Sequence, residues 1–495
     1  MNRKSITFNA IMNILLTVSN LLFPLISFPY VTRVLSVMAL GKVNFFNTVG
    51  SYAVMLATLG MGTYGIRACA KNRDDTKKLS QTVQELLVIR IISTIVVMFG
   101  LVILYFFVAK FNQNFSLFII QCCYLITSIC SFEWLFSGLE QYSYITKRSV
   151  FFKLLSLVLL VILVKSPDDY IIYAAITVFS TSAGYLCNLL YSKKFISYKK
   201  VAKYNLRKHL KPMFLLFAAN LAVSVYTSLD TVMLSFISGD KAVGYYTVAV
   251  KIKTILLSMV NAISAVLLPR LTYYISEKRV KEYNMLLKKS ISIITTIALY
   301  FSVYFILEAK NSILFLSGKE YIPAVFPMQI MMPILIISGF SNITGNQILL
   351  SKGMDSFFMR AVIVGAVADV GLNILLMPKL GVIGAALATV MAEIIQMIIQ
   401  VYYSKEYLLK CVDVKMLIKE IVAIIIAILF VYIYESLTTL NPIIDLLCTG
   451  IIFSIIYILM LNILRVKWIL EYEKKILSKI RSKKIYREER EDKNG

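Results

Sequence analysis

Charge is scarce in this chain. Of 495 residues, 16% are Asp, Glu, Lys or Arg, against 59% hydrophobic residues and a mean hydropathy of +0.76. Soluble domains carry about a quarter charged residues, so a soluble enzyme or a nucleic-acid-binding domain is excluded. Histidine occurs once, as His209 beside Lys208 and Lys211, and no His/Cys/carboxylate group has metal-ligand spacing. No metal or other cofactor is therefore expected. Cysteine is sparse and odd in number at seven, and Cys122, Cys123, Cys130, Cys187 and Cys448 lie in apolar runs. That pattern describes small buried residues, not a disulfide framework. No glycine-rich phosphate cradle or nucleophile elbow occurs, so any pumping must draw on an ion gradient or on the substrate's own gradient. No soluble-looking stretch exceeds about thirty residues, and domains need at least ~50; one anchor on a soluble body is excluded too.

What is abundant is apolar sequence. About 290 hydrophobic side chains, at about 20 per membrane-spanning helix, allow at most about fourteen spans. Apolar runs broken by charged or Gly/Pro-containing turns predict fourteen: 11–32, 43–66, 85–109, 115–136, 150–164, 170–191, 212–237, 243–267, 291–308, 324–350, 357–376, 381–403, 418–437 and 443–464. The amino terminus, Met-Asn-Arg-Lys followed by an apolar run without a small-residue cleavage site, reads as the first span and not a cleaved signal. Lys and Arg test the assignment. On the side of the amino terminus the loops and tail collect 41 of them, the opposite side holds 8, and three (Arg90, Lys251, Lys253) fall inside spans. The positive-inside rule then puts both termini in the cytoplasm. The net charge of +25 follows from those loops, which face anionic membrane lipids and not nucleic acid. The longest outer loop, 309–323, is about fifteen residues. A glycan polymerase or ligase needs more outer chain for its catalytic groups, so an enzyme is not expected.

Two echoes in the sequence lie six spans apart. The stretch from Val34-Leu35-Ser36 to Phe45-Phe46 after the first span resembles that from Met233-Leu234-Ser235 to Tyr245-Tyr246 after the seventh, and Tyr170-Ile171-Ile172-Tyr173-Ala174-Ala175 resembles Gly381-Val382-Ile383-Gly384-Ala385-Ala386. An even offset keeps both copies in one orientation, which predicts parallel repeats and a two-lobed body suited to alternating access. The expected organisation is an N-lobe (1–191, helices 1–6), a basic linker (192–211), a C-lobe (212–403, helices 7–12), two trailing helices (404–464) and a basic cytoplasmic tail (465–495).

Ionisable groups inside spans cost at least ~2.5–3.5 kcal/mol on insertion scales and need partners or water. Asp230 and Lys251 fall at similar depths on neighbouring spans. They read either as an anion-binding lysine beside a coupling carboxylate or as a structural ion pair. Lys253, two residues on, points about 200° away. Arg90 either snorkels or meets a phosphate at the inner mouth. Asp369, near mid-span with no charged neighbour one turn away, is either a proton site or a carboxyl hydrogen-bonded to Asn373. Glu133 and Glu393, near span ends, read as solvated. Pro24, Pro29, Pro323, Pro327 and Pro333 bend spans one and ten.

The chain resembles the bacterial polysaccharide repeat-unit flippases of the multidrug/oligosaccharidyl-lipid/polysaccharide transporter superfamily. The stretches that carry the likeness are Tyr30-Val31-Thr32-Arg33-Val34-Leu35 with Gly41, Gly138-Leu139-Glu140-Gln141-Tyr142, Leu229-Asp230-Thr231-Val232-Met233-Leu234, Val243-Gly244-Tyr245-Tyr246 with Ala249, Leu268-Pro269-Arg270-Leu271, and Asn373-Ile374-Leu375-Leu376-Met377-Pro378 with Glu393. They run from the first span to the twelfth. The resemblance implies an all-α membrane protein of about fourteen spans in the cytoplasmic membrane. It also implies movement of an undecaprenyl-pyrophosphate-linked oligosaccharide between leaflets for capsule or exopolysaccharide assembly, alongside other polysaccharide assembly proteins. Its cationic cavity maps onto Arg33, Arg90, Lys251 and Lys253 for the pyrophosphate and glycan. Asp230 and Asp369 are the candidates for coupling to a proton or sodium ion. Lipid II flippases carry arginines deeper in the first two spans, which this chain lacks. A drug/cation antiporter of the same fold is the competing reading, but it favours an acidic cavity.

Overall fold

The computed structural model describes residues 6–438, 440–471 and 473; the basic tail beyond 473 and the first five residues lie outside them. Among the described residues the fold is helical and contains no strand. In chain order the first helices are α1 (Ile6–Val34), α2 (Val37–Thr58), α3 (Met61–Asn72), α4 (Thr76–Phe107), α5 (Ala109–Asn112), α6 (Phe115–Thr127) and α7 (Glu133–Gly138). They are followed by α8 (Tyr142–Leu163), α9 (Tyr170–Ser192), α10 (Arg207–Ile237) and α11 (Asp240–Ser276). The remainder are α12 (Val280–Leu307), α13 (Ala309–Ser317), α14 (Val325–Met331), α15 (Ile334–Asn342), α16 (Asp355–Leu380), α17 (Val382–Leu408), α18 (Val414–Leu437) and α19 (Pro442–Ile463).

The bilayer is the solvent this surface requires. Phe99, Phe106, Phe107, Leu215 and Val266 are each 68–84% exposed, and such a belt is stable only against lipid. Among the described residues ten helices are long and apolar enough to cross a membrane, and twelve if each of two bent pairs counts as one span. The chain is therefore a multi-pass membrane protein. Helices α2 and α8, each of 22 residues, lie where the second and fifth spans are expected, but neither is among those ten helices or the two bent pairs. Helix α8 begins at Tyr142 and not near 150, because it carries Arg148 inside the helix. There the guanidinium meets Glu133 at 2.6 Å and bonds Asn188 and the Gly184 carbonyl. Glu133 is thus an ion-pair partner as well as partly solvated. The outer segment expected as a loop at 309–323 is largely helical, with Ala309, Ile313 and Leu316 buried one turn apart along α13.

The chain divides into two compact units. One holds the chain up to Val248 with Leu316–Pro323 and Asp369–Ala388; the other holds Ala249–Phe315, Ala324–Ala368 and the chain from Thr389. The first unit has a core around Leu86, Trp134 and Phe136 and another around Phe45, Phe46 and Phe111. The second has cores around Tyr283 with Ile291 and around Tyr304 with Phe453.

Helix starts follow from local chemistry. Asp75 caps α4, accepting from the amides of Lys77 and Lys78 at 3.0 and 3.1 Å. Helix α10 bends by 52° between Arg207–Val225 and Thr227–Ile237. At that bend the Tyr52 hydroxyl donates to the Ser224 carbonyl at 2.8 Å, an inserted side-chain bond of the kind that opens a helix.

Candidate functional site

On α2, Asn44, Asn47, Thr48, Ser51 and Tyr52 recur at three- and four-residue spacing and so share one face. Facing them across a cleft of about 500 Å³ are Asn220, Ser224 and Ser228 of the bent helix α10. In a membrane helix such a polar face is costly unless it meets water or ligand. The amide and hydroxyl groups are neutral donors and acceptors at once, which suits sugar hydroxyls better than an isolated charge. Gln121 of α6 donates to the Asn47 carbonyl oxygen at 2.9 Å, fixing that amide's orientation. The ionisable candidates do not include this stripe. Its signal was legible, since the polar residues of the second span fall on one helical face.

Asp230, in the C-terminal half of α10, is buried. Its carboxylate accepts from the Tyr246 hydroxyl at 2.6 Å and from the Asn373 amide at 2.7 Å. Asn373 therefore spends its amide on Asp230, across 143 residues of sequence, and not on Asp369 one turn away. Asp369 is wholly buried on the same helix, α16. Both carboxylates lie close enough to act electrostatically on the Tyr52 hydroxyl, which itself lines the polar cleft. A buried carboxylate near a polar cleft can take up a proton or pair with a cation.

The basic candidates have different surroundings. Arg90 of α4 is 2% exposed and does not reach for the interface. Its guanidinium bonds Thr58, the Ser128 hydroxyl at 2.8 Å and the Ser128 carbonyl at 3.3 Å. All are neutral oxygens, and among the described residues it has no carboxylate partner. Arg33, at the end of α1, is exposed. Lys251 and Lys253 belong to the second unit, both half-buried along α11. Glu85 pairs elsewhere than with Arg90. It meets Lys208 at 2.7 Å and His209 at 2.8 Å, and accepts from the Asn205 backbone amide at 2.9 Å. The His209 Nδ1 lies 2.7 Å from the Tyr64 hydroxyl, so the single histidine ties the start of α10 to α3 and α4. Glu393 likewise has a partner, accepting from the Ser338 hydroxyl at 3.0 Å.

Gly41 and Gly244, one from each of the similar stretches at 34–46 and 233–246, meet each other. A Cβ on Gly41 would stand 1.7 Å from the Asp240 carbonyl oxygen and 2.9 Å from the Gly244 nitrogen. A Cβ on Gly244 would stand 2.2 Å from the Val37 carbonyl oxygen. The starts of α2 and α11 thus pack backbone to backbone, reciprocally, as related copies about an axis would. Sequence spacing also missed one acidic group: folding brings carboxylate oxygens of Glu308, Glu435 and Asp445 within 4.8 Å of one another.

Comparison with known proteins places these features. The sequence profile of the family described as polysaccharide biosynthesis protein matches residues 6–275. A protein named "putative O-antigen transporter" from Escherichia coli (strain K12) is 25% identical over 397 residues, covering 79% of this chain and 95% of that protein. One with the same name from Shigella dysenteriae is 27% identical, covering 70% of this chain and 87% of its own. Among solved structures, the lipid II flippase MurJ in an inward closed conformation superposes with a TM-score of 0.71 at 13% identity, covering 93% of this chain and all of that one. An inward-facing multidrug resistance transporter of the MATE family gives 0.60 at 15% identity, covering 78% of this chain and 93% of that one. At those identities the structural likeness concerns the fold.

Proposed function

Because the chain belongs to the family of polysaccharide biosynthesis proteins, we propose that it is a flippase. Its cargo is an undecaprenyl-pyrophosphate-linked oligosaccharide repeat unit, moved from the inner to the outer leaflet for capsule or exopolysaccharide assembly. The observation that carries this reading is the neutral polar cleft between α2 and α10. A membrane protein has no structural need for a wet stripe of amides and hydroxyls, whereas a glycan crossing the bilayer needs replacements for the water its hydroxyls lose.

In this reading the cleft receives sugar, and the cationic groups Arg33, Arg90, Lys251 and Lys253 receive the pyrophosphate. Arg90 fits that task because its bonds to Thr58 and Ser128 hold it in place without cancelling its charge. Asp230 and Asp369 carry the coupling proton or sodium ion. Their common influence on Tyr52 links ion occupancy to the wall of the sugar cleft. The reading has fourteen spans with both termini cytoplasmic. The 22-residue helices α2 and α8 support it, each being about 33 Å long at 1.5 Å per residue, enough for a ~30 Å hydrocarbon core. The moving bodies are the two six-helix lobes, 1–191 and 212–403, joined by the basic linker 192–211. The reciprocal approach of Gly41 and Gly244 supports their relation as parallel repeats.

The test is translocation by the purified protein in vesicles carrying a polyisoprenyl-pyrophosphate oligosaccharide. Lys251→Ala and Lys253→Ala lower the rate while the protein remains in the membrane, and Asp369→Asn removes its dependence on an imposed gradient. Wild-type rates in both lysine variants take them out of the site, and an unchanged gradient response in Asp369→Asn ends its coupling role.

A further inference from the structure

The ends of α12, α18 and α19 enclose a second cleft, of about 400 Å³, in the unit that begins at Ala249. Six basic side chains line it against two acids. Lys288 pairs with Asp413 at 3.3 Å and Lys289 with Glu471 at 2.6 Å. Lys415, Lys419 and Arg465 make no ion pair among the described residues, and Lys467 adds its field at Asp413. The excess positive charge thus faces into a concavity and is not spread over a convex loop.

Two further features distinguish this cleft from the ordinary enrichment of lysine on the cytoplasmic side. Part of its lining is apolar, formed by Met285, Met416, Val466 and Trp468. The Trp468 indole nitrogen donates to the Thr296 hydroxyl of α12 at 3.2 Å, which fixes the ring as a wall. The chain also enters the cleft through a strained turn. Arg465 has φ of 53°, in the left-handed region that favours glycine, and the Val466 amide bonds back to the Leu461 carbonyl at 3.0 Å. From that turn Arg465 supplies a guanidinium to the cleft wall.

We propose that this cleft binds the phosphate headgroup of an anionic phospholipid, with the glycerol and upper acyl chains against Met285, Met416 and Trp468. Unpaired cations beside an apolar lining with an interfacial tryptophan match an amphiphile with a phosphate at one end. The bound lipid would fasten α12 to the α18–α19 hairpin. The site concerns the membrane around the protein and does not depend on the cargo.

Trp468 supplies the readout. The purified full-length protein is placed in phosphatidylcholine vesicles containing an equal mole fraction of dibrominated phosphatidylglycerol or dibrominated phosphatidylcholine. Quenching of Trp468 is taken as the difference from the Trp468→Phe variant. The brominated anionic lipid quenches more strongly, and the apparent affinity falls about fivefold for each of Lys415→Gln and Lys419→Gln. Glu471→Gln, which releases Lys289, shifts it the opposite way. Lys193→Gln with Lys194→Gln, on another basic segment, leaves it unchanged. Equal quenching by both lipids overturns the proposal, as does a preference that survives loss of both cleft lysines or disappears equally in the control pair. Abolition of the preference by millimolar inorganic phosphate would assign the cleft to a free anion and overturn the lipid.

Discussion

Gly41→Ala puts the packing of the repeats to a quantitative test. In the second turn of α2, the new methyl would stand 1.7 Å from the Asp240 carbonyl oxygen, where contact requires ~3.5 Å. The two helix starts must therefore part by about 1.5–2 Å. Asp240 cannot readily yield, because its side chain is held by Lys110 at 2.6 Å and by the Ser235 hydroxyl at 2.7 Å. Overpacking against backbone costs ~1–3 kcal/mol or more. Ala is better than Gly inside a helix by ~1 kcal/mol, which offsets part of that, so a net loss of up to about 2 kcal/mol is expected. Gly100→Ala on α4 provides the opposite sign. Nothing lies within 4 Å of its added Cβ, so only the propensity gain of about 0.5–1 kcal/mol remains. The assay is unfolding of the purified protein in one detergent, by heat or denaturant, with the two variants side by side. If Gly41→Ala is as stable as Gly100→Ala, the close approach of α2 and α11 is wrong.

Glu85→Gln should destabilise by about 2 kcal/mol, the worth of hydrogen bonds to a charged acceptor, since Lys208, His209 and Asn205 all converge on it. Glu140→Gln, which breaks the exposed pair with Arg73, should change stability by less than ~1 kcal/mol in the same unfolding assay. Burial pushes the Asp413 carboxyl up, but Lys288 and the Met416 amide outweigh it and hold it below its ordinary value. Its contribution is therefore present above the unfolded value of 3.8 and lost as pH falls through the depressed folded value. Asp413→Asn should flatten that acid limb of the stability profile, which an unaltered profile would refute. Asn47→Ala and Ser51→Ala should each slow translocation by up to about tenfold, from one lost hydrogen bond of ~0.5–1.5 kcal/mol, with no change in the amount of protein in the membrane.

The membrane class and most of the helices were legible because apolar run length and loop charge are strong signals on single residues. The fifth helix was placed late at its start because Arg148 reads as a loop residue until its partners Glu133 and Asn188, 15 and 40 residues away, are known. The same limit hid the partner of Asp230. Asn373 is one turn from Asp369 in sequence, yet its amide goes to α10, a choice made by helix packing. Arg90 and Glu85 are five residues apart in sequence, yet each is satisfied by groups from other helices. The uncharged stripe on α2 was visible as a periodicity. It was passed over because the cost of burying charge draws attention to ionisable groups, whereas a glycan is recognised through neutral ones.

In the proposed function a lipid-linked glycan crosses the membrane through this protein. The direct measurement is made in sealed vesicles reconstituted with it. Translocation of a polyisoprenyl-pyrophosphate oligosaccharide and of a cationic dye is scored in parallel, with and without an ion gradient. The glycan lipid should move faster than in protein-free vesicles and faster still under the gradient, while the dye remains where it was placed. Dye movement with a stationary glycan lipid would contradict the account.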